Sequence, residues 1–302
     1  MEDTKIVEEC AKKAVDKLKT KKEGNLIVFE GIDGSGKTTQ ARMLVEYLQS
    51  KGVDVIFTDW ASSANIGKFI QKMRKDKIEV IPKTFSLLHA AEFAERLEAL
   101  ILPALSAGKT VVCDRYLYTA IARDTALGVD EDYVKEIYKL APKEDLLLYF
   151  DVPPKMALER LIKRAIEENM AKQKMKGKEK GKKGKVAGTI SPAGTIAGTI
   201  AGTVVGTIAG TIAGTIAAKI GKLDEKEKAS WTDYATMYGY MKDVFKTEKD
   251  EEAYYAFVAK VVEKYKAVAE ENNAVIIDGK LPADFIKTQI MSVVTKKIFK
   301  VE

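Results

Sequence analysis

The sequence GIDGSGKTT at residues 31–39 constrains the fold more than any other feature of this chain. It matches the pattern G-x-x-x-x-G-K-[ST] from Gly31 to Thr38, follows the apolar run NLIVFE, and opens a stretch with helical spacing. Glycines in such a loop let backbone N–H groups turn toward phosphate oxygens, and the helix N-terminus adds partial positive charge. In this pattern Lys37 reaches the β- and γ-phosphates, and the Thr38 hydroxyl binds Mg²⁺. The motif therefore predicts a nucleoside triphosphate site in an α/β domain.

Short aliphatic runs alternate with helical patterns along most of the chain. Near-continuous apolar runs are typical of strands that are buried on both faces, and Gly52 and Gly108 stand just past two helical stretches, as C-terminal caps do. The alternation predicts an α/β fold with a mainly parallel sheet. The predicted strands are residues 25–30, 53–58, 110–114, 146–151 and 274–278. The predicted helices are residues 37–51, 84–106, 130–140, 154–170 and 249–271, and a last helix that begins near Pro282.

A low-complexity block interrupts this pattern at residues 166–222. A lysine-glycine run (174–185) precedes the 33 uncharged residues 186–218, in which Gly-Thr-Ile or Gly-Thr-Val occurs seven times. That length makes a membrane span an alternative. However, glycine and threonine each fill about a quarter of the positions, and a single crossing would separate the last predicted strand from the first four. We expect a flexible or β-forming surface insertion instead, prone to aggregation, and no membrane span.

The predicted domain organisation has three parts. Residues 1–23 carry an apolar stripe at helical spacing and predict an amphipathic helical extension. Residues 24–165 and 223–302 together form the domain with the phosphate-binding loop. Residues 166–222 form the insertion, rich in lysine and glycine and then in Ala-Gly-Thr-Ile repeats.

Composition excludes several classes of protein. Two cysteines in 302 residues build no disulfide framework, which favours a cytoplasmic location, and a single histidine, His89, adds no structural zinc site. The N-terminus lacks the apolar core of a signal peptide. Residues 163–185 contain ten basic and three acidic residues and account for the net charge of +6. Aromatic residues are absent from 172–185, so we expect no nucleic-acid partner.

VVCDRYLYTAIARD (111–124) is the second stretch that predicts chemistry. Asp114 ends an apolar strand of the same sheet, where a carboxylate is needed for Mg²⁺ and its water beside the phosphate loop. Arg115 would then point toward a transferred or accepted phosphate. The alternative is a surface Asp-Arg pair that follows a strand.

GIDGSGKTTQ, the DRY segment and LLLYFDVPPKMALERLIKR (146–164) resemble the thymidylate kinase family, and the resemblance covers roughly residues 25–165 and 224–298. It implies a P-loop kinase core with five parallel strands that moves phosphate from ATP-Mg²⁺ to a nucleoside monophosphate, first of all dTMP. It also implies that Asp33 contacts the sugar of the acceptor and that Arg115 holds its phosphate. The residues expected to bind ATP are Gly31, Ile32, Asp33, Gly34, Ser35, Gly36, Lys37, Thr38 and Thr39.

The insertion falls where the mobile LID of this family lies. Gly34, the residue after Asp33, is not basic. By the logic of the family, the cation that stabilises the transition state then comes from the LID. The candidates are Arg160, Arg164 or a lysine from residues 163–185.

On the acceptor side the chain departs from the family pattern. Phe93 stands where a phosphate-binding arginine is expected, and Arg96 lies one turn later as a candidate substitute. Arg123 and Asp124 replace residues that orient the base. Both arginines also fit the plainer interpretation of side chains on an exposed helix face. Two alternatives to a dTMP kinase therefore stay open, a kinase for another mononucleotide and a non-catalytic nucleotide-binding switch. A homodimer is open as well.

Overall fold

The computed structural model of the chain describes residues 24–76, 78, 80–161, 163, 164, 167 and 248–300. The predicted N-terminal helix and all of the insertion except residue 167 lie outside these residues. The chain divides into two compact units, Met1–Ala157 with Phe257–Glu302 and Leu158–Ala256. The described part of the second unit includes helical residues 158–161.

A five-stranded parallel sheet organises the first unit, and this confirms the predicted fold class. Its strands follow the order β2-β3-β1-β4-β5, with all neighbours parallel. The β1, β3 and β4 strands have the bounds that their apolar runs predict. The strands are β1 (Asn25–Glu30), β2 (Val55–Asp59), β3 (Thr110–Asp114), β4 (Leu146–Asp151) and β5 (Val275–Asp278).

Helices connect the strands and cover both faces of the sheet. Gly52 and Gly108 both have positive φ just past helix ends, as predicted. Residues 154–161 are helical. The helices with both ends described are α1 (Lys37–Ser50), α2 (Ile66–Asp76), α3 (Pro82–Arg96), α4 (Leu102–Ser106), α5 (Leu117–Ala126), α6 (Glu131–Ile137), α7 (Glu248–Glu271) and α8 (Ala283–Lys297).

The predicted helix at 84–106 is interrupted by a π-helical segment. Between α3 and α4, the residues Leu97–Ile101 are π-helical, and the N–H of Leu102 donates to the carbonyl of Leu97. Pro103 explains the change, because it lacks the N–H that an α-helix would direct at residue 99 and its ring crowds that carbonyl. The wider turn removes this conflict without ending the helix.

The α2 helix, which the sequence pattern did not predict, has its N-terminal cap supplied by another helix. Glu95 of α3 accepts hydrogen bonds from the Ser63 hydroxyl, the N–H of Ile66, and both the N–H and the side-chain amide of Asn65. These contacts satisfy donors that a helix start leaves open. Because the cap lies about 30 residues away in sequence, local capping signals could not reveal it.

The core has two layers, one on each face of the sheet. Alternate residues of β1 divide between them, with Leu26 and Val28 on one face and Ile27 and Phe29 on the other. The three central strands are buried on both faces, as their apolar runs predict. The edge strands differ, because each has only one neighbour, and Ile276 of β5 is 51% exposed.

Among the described residues, no helix combines the length and the apolar character that crossing a membrane requires. The repeat at 186–218, for which a span was weighed and not expected, lies outside them.

Candidate active site

The carboxyl ends of β1 and β3 bring the two predicted motifs together. The strands are adjacent and parallel, with Phe29 opposite Asp114, so the loop that follows Glu30 lies beside the segment that follows Asp114. The N–H of Arg115 donates to the carbonyl of Phe29 at 2.9 Å. In parallel sheets, ligands bind outside the carboxyl ends of the strands, and this edge is therefore the candidate site.

Positive φ angles shape the loop at three glycines, Gly31, Gly34 and Gly36. A Cβ at Gly34 would lie 2.3 Å from the carbonyl oxygen of Ala157, and one at Gly31 would lie 2.9 Å from that of Phe150. Gly31 and Gly34 therefore require glycine for space as well as for conformation. Gly36 is the N-cap of α1, and the N–H groups of that helix start open into the loop.

We expect Gly34→Ala to lower the free energy of unfolding by about 3 kcal/mol, since a left-handed residue and a backbone clash both oppose it. Gly52→Ala is the matched control. Its φ of +77° is similar, and a Cβ there has nothing within 4 Å among the described residues, so we expect a loss of about 1 kcal/mol. Urea unfolding of both variants measures the difference. Equal losses would mean that Ala157 does not confine the loop.

Lys37 lies buried inside the loop, with 4% of the residue exposed. Its Nζ donates to the carbonyl of Ile32 at 3.2 Å and lies 3.8 Å from Oδ1 of Asp33. Burial lowers the pKa of Lys37, and the positive charge of Arg115 lowers it further, against the carboxylates of Asp33 and Asp114. The loop thus holds the ammonium group of Lys37 in place, with the nearest carboxylate oxygen of Asp33 beyond hydrogen-bond distance at 3.8 Å. This arrangement favours the binding of an anionic ligand.

Thr38 and Asp114, the predicted Mg²⁺ ligands, are in direct contact. The Thr38 hydroxyl donates to Oδ2 of Asp114. Asp114 is 5% exposed, so the alternative of a surface Asp-Arg pair is wrong. Its Oδ1 is buried and has no hydrogen-bond partner within the described part of the chain. A buried carboxylate oxygen left without a partner, next to a hydroxyl, fits the oxygen ligands that Mg²⁺ takes.

Arg115 faces the phosphate loop from the other side. Its Nη2 donates to Oδ1 of Asp33 at 2.6 Å, and its Nη1 donates to the hydroxyls of Thr119 at 3.1 Å and Tyr265 at 3.2 Å. The residue has a φ of +80°, which is rare for a side-chain-bearing residue and clusters at functional sites. Arg115, Asp33 and Lys37 therefore converge on one space above the loop.

The predicted acceptor-side residues lie in a buried cluster rather than on exposed helix faces. Phe93, Arg96 and Arg123 are all largely shielded from solvent, and Arg96 is only 1% exposed. The guanidinium of Arg96 lies 5.5 Å from the ring centres of Trp60 and Phe93, and that of Arg123 lies 4.3 Å from the ring of Phe85. The alternative interpretation, in which Arg96 and Arg123 lie on exposed helix faces, is thus wrong.

Many buried polar atoms of this cluster have no hydrogen-bond partner among the described residues. Arg96 Nε lies 3.5 Å from Glu92 Oε1, and yet no nitrogen of this guanidinium makes a hydrogen bond to a described residue. The same holds, across the described ranges, for Nη2 of Arg123, Oδ2 of Asp124 and both ring nitrogens of His89. Unpaired buried polar groups are costly in a closed core, so this cluster is a candidate site for a ligand that pairs with them.

His89 lies in this cluster as a neutral ring. Burial lowers its pKa well below the usual value, and the positive charges of Arg123, Arg74 and Arg96 lower it further. Its imidazole stacks on Trp60 with ring centres 5.5 Å apart. Trp60 was not predicted as a site residue, because it follows an edge strand without any local pattern that marks its role.

Sequence reasoning also missed Glu30 and Tyr265. Glu30 is the charged end of the otherwise apolar β1 run, and this was the one available signal. Tyr265 lies in α7, where nothing in the local sequence separates it from other helical tyrosines. Both side chains are buried within hydrogen-bond distance of Thr119, and Tyr265 also contacts Arg115.

Arg160 and Arg164, the predicted LID cations, belong to the second compact unit. Arg160 is half-buried and Arg164 is exposed. The predicted role of these two arginines, to supply the cation that stabilises the transition state, stays a prediction.

Comparison with known proteins gives consistent matches. Residues 29–183 match the family model described as "Thymidylate kinase". The chain is 46% identical over 140 residues to "Probable thymidylate kinase 2" of Saccharolobus solfataricus and 41% identical over 143 residues to "Probable thymidylate kinase" of Pyrococcus horikoshii. Each alignment covers 46% of this chain, and the two cover 65% and 70% of the respective relative. The "Thymidylate kinase" of Desulfotalea psychrophila is 39% identical over 145 residues, which are 48% of this chain and 72% of that protein.

Proposed function

Since the chain belongs to the thymidylate kinase family, we propose that it transfers the γ-phosphoryl group of ATP to the phosphate of a nucleoside monophosphate, with dTMP as the preferred acceptor. The observation that carries the proposal is the convergence of Lys37 and Arg115 over one glycine-rich loop. Such an enzyme needs no covalent intermediate, because positioning and charge stabilisation supply most of the catalysis of phosphoryl transfer.

On the donor side, the loop Gly31–Thr38 binds the phosphates of ATP through its N–H groups, and Lys37 neutralises charge on the β- and γ-oxygens. Thr38 and Asp114 are the residues that would hold Mg²⁺. When bound, this ion would supply positive charge that offsets the negative charge of the donor phosphates. The partnerless Oδ1 of Asp114 supports this assignment.

On the acceptor side, Arg115 holds the acceptor phosphate, and Asp33 both anchors this arginine and contacts the sugar. The base binds beside the aromatic rings of Trp60, His89 and Phe93, which pack on one another. Arg96 binds the acceptor phosphate in place of the arginine expected at position 93, because Phe93 has no hydrogen-bond donor in its side chain. Arg123 provides a further donor for carbonyl oxygens of the base.

The decisive experiment is a steady-state assay with ATP and a panel of mononucleotides that includes dTMP, dUMP, dCMP, dAMP and dGMP. We expect transfer to dTMP. We also expect a weak preference over dUMP, because the acceptor pocket differs from the family pattern at Phe93, Arg123 and Asp124. A strong preference for a mononucleotide with another base would contradict the assignment of dTMP as the acceptor. ATP turnover without any acceptor would favour a nucleotide-binding switch.

We further propose that Arg160 and Arg164 supply the cations that close over the transferring phosphoryl group. Replacing both by alanine should then lower kcat about 10²-fold or more, the cost of losing preorganised charge stabilisation. Deleting residues 186–218 is the contrasting variant. It removes no charged side chain, and long insertions cost little closure entropy, so turnover should stay within a few-fold. The opposite pattern, in folded proteins, would contradict the assignment.

A cytoplasmic location is part of the proposal, because a reducing compartment keeps the free thiol of Cys113 in the form described here. A homodimer stays a prediction, and sedimentation of the full chain measures it.

A further inference from the structure

Glu30 ends β1 with its carboxylate buried under the candidate site and 1% of the residue exposed. Four donors converge on it. Oε1 accepts from the N–H of Tyr116 at 2.8 Å and from that of Thr119 at 3.0 Å. Oε2 accepts from the hydroxyl of Thr119 at 2.6 Å and from that of Tyr265 at 3.1 Å. A buried carboxylate with four donors is expensive to desolvate, which suggests a task beyond packing.

The direction of these hydrogen bonds determines how the guanidinium of Arg115 is held. A carboxylate only accepts, so the Thr119 hydroxyl at 2.6 Å donates to it, and the Tyr265 hydroxyl donates either to the carboxylate at 3.1 Å or to Oγ1 of Thr119 at 2.8 Å. In both arrangements neither hydroxyl hydrogen points at Arg115. The lone pairs of both hydroxyl oxygens are then left for Nη1 of Arg115, which lies 3.1 Å and 3.2 Å from them. The guanidinium is therefore held on one side by these two oxygens and on the other by Asp33 at 2.6 Å.

Glu30 also supports the backbone of Arg115. The strained φ of +80° at Arg115 persists only where the surrounding structure fixes it. The N–H of the next residue, Tyr116, is one of the donors to Glu30, and the N–H of Arg115 itself donates to Phe29, the residue before Glu30. Burial raises the pKa of Glu30, while the Thr119 hydroxyl and the charge of Arg115 oppose that rise.

We propose that Glu30 is a positioning residue for acceptor binding, which acts through Thr119 and Tyr265 to aim the guanidinium of Arg115 at the acceptor phosphate. This inference rests on the proposed function, in which Arg115 holds that phosphate. It predicts a specific pattern, because a misdirected Arg115 weakens acceptor binding but leaves the donor loop intact.

The test compares Glu30→Gln with Glu144→Gln. Glu144 is a matched control, because it is also buried and both of its oxygens lie 2.9 Å from one donor, the hydroxyl of Tyr118. Glutamine at position 30 turns one oxygen into a donor and reverses the polarity at the hydroxyls. We expect the KM for dTMP to rise about tenfold in Glu30→Gln, with the KM for ATP unchanged, and neither to change in Glu144→Gln.

A second pair keeps the inference testable if Glu30→Gln does not fold. Tyr265→Phe removes a single hydroxyl oxygen and should raise the KM for dTMP about threefold. Tyr118→Phe, which removes a hydroxyl that contacts Glu144, should not. If the acceptor and ATP KM values rise together, or if both control variants show the same rise, Glu30 is structural and the inference is overturned.

A readout that needs no activity separates this inference from the proposed function. Phenylglyoxal modifies accessible arginines, and mass spectrometry of the full chain after digestion gives the rate at Arg115. We expect a several-fold faster rate in Glu30→Gln than in Glu144→Gln, since the guanidinium is then less firmly held. A wild-type protein without transfer to any mononucleotide would refute the proposed function alone. Equal modification rates would refute the positioning role alone.

Discussion

Replacing Lys37 by alanine is expected to lower kcat about 10²–10³-fold, with the fold retained. The ammonium group lies inside the phosphate loop, where negative charge develops on the transferring group, and one preorganised contact of this kind is typically worth that much. Alanine is a favourable residue in the first turn of α1, and its side chain leaves the two glycine-dependent contacts of the loop unchanged. The coupled kinase assay at saturating ATP and dTMP measures the loss.

Lys51→Ala is the control for this prediction. Lys51 lies at the opposite end of α1, exposed, and its side chain contacts only the ring of Tyr47 within the described residues. We expect its kcat within twofold of the unmodified protein. Near-normal turnover by a folded Lys37→Ala protein would remove the basis for a donor site at this loop.

Replacing Arg115 by alanine is expected to lower kcat/KM for the acceptor about 10²-fold while ATP affinity changes little. The guanidinium makes charge-assisted hydrogen bonds to Asp33, Thr119 and Tyr265, so it is preorganised before a phosphate arrives. Removing the guanidinium would delete both the proposed contact to the acceptor phosphate and the hydrogen bonds that orient it. Lys37 and the loop glycines, which we propose bind the donor, stay in place.

Isothermal titration with dTMP and with a non-hydrolysable ATP analogue separates these two effects. Arg42→Ala serves as the control, since Arg42 is an exposed arginine of α1 whose guanidinium packs on the ring of Phe57. It should leave both affinities unchanged. An equal loss of both ligands in Arg115→Ala would place this arginine on the donor side or in the support of the fold.

The parts of the molecule that sequence reasoning found are those encoded by neighbouring residues. The β1, β3 and β4 strands are continuous apolar runs because they are buried on both faces, and their bounds are as predicted. The phosphate loop is equally local, since its glycines, Lys37 and Thr38 lie within eight residues. Adjacent parallel strands place Asp114 beside Thr38, and the position of Asp114 at the end of an apolar strand was enough to predict a carboxylate next to the loop.

The parts that it missed depend on residues distant in sequence. Glu30 and Tyr265 are 235 positions apart, and only the packing of α7 on the sheet brings them together. The aromatic side of the acceptor pocket joins Trp60 to Tyr138 with ring centres 6.5 Å apart, and neither residue carries a local signal. The burial of Arg96 is a further case, because an arginine at helical spacing looks the same whether it faces solvent or a pocket.

The cap that Glu95 provides for α2 has a consequence for the rate of nucleotide capture. Its four hydrogen bonds tie the segment from Ser63 to Ile66 to α3, and Ser63 also donates through its N–H to Glu92, next to the pocket. This wall of the pocket is therefore ordered when the chain folds, rather than when the acceptor arrives. Binding of the acceptor then does not include the ordering of this segment, and the attraction between the anionic phosphate and the arginines should raise the association rate constant.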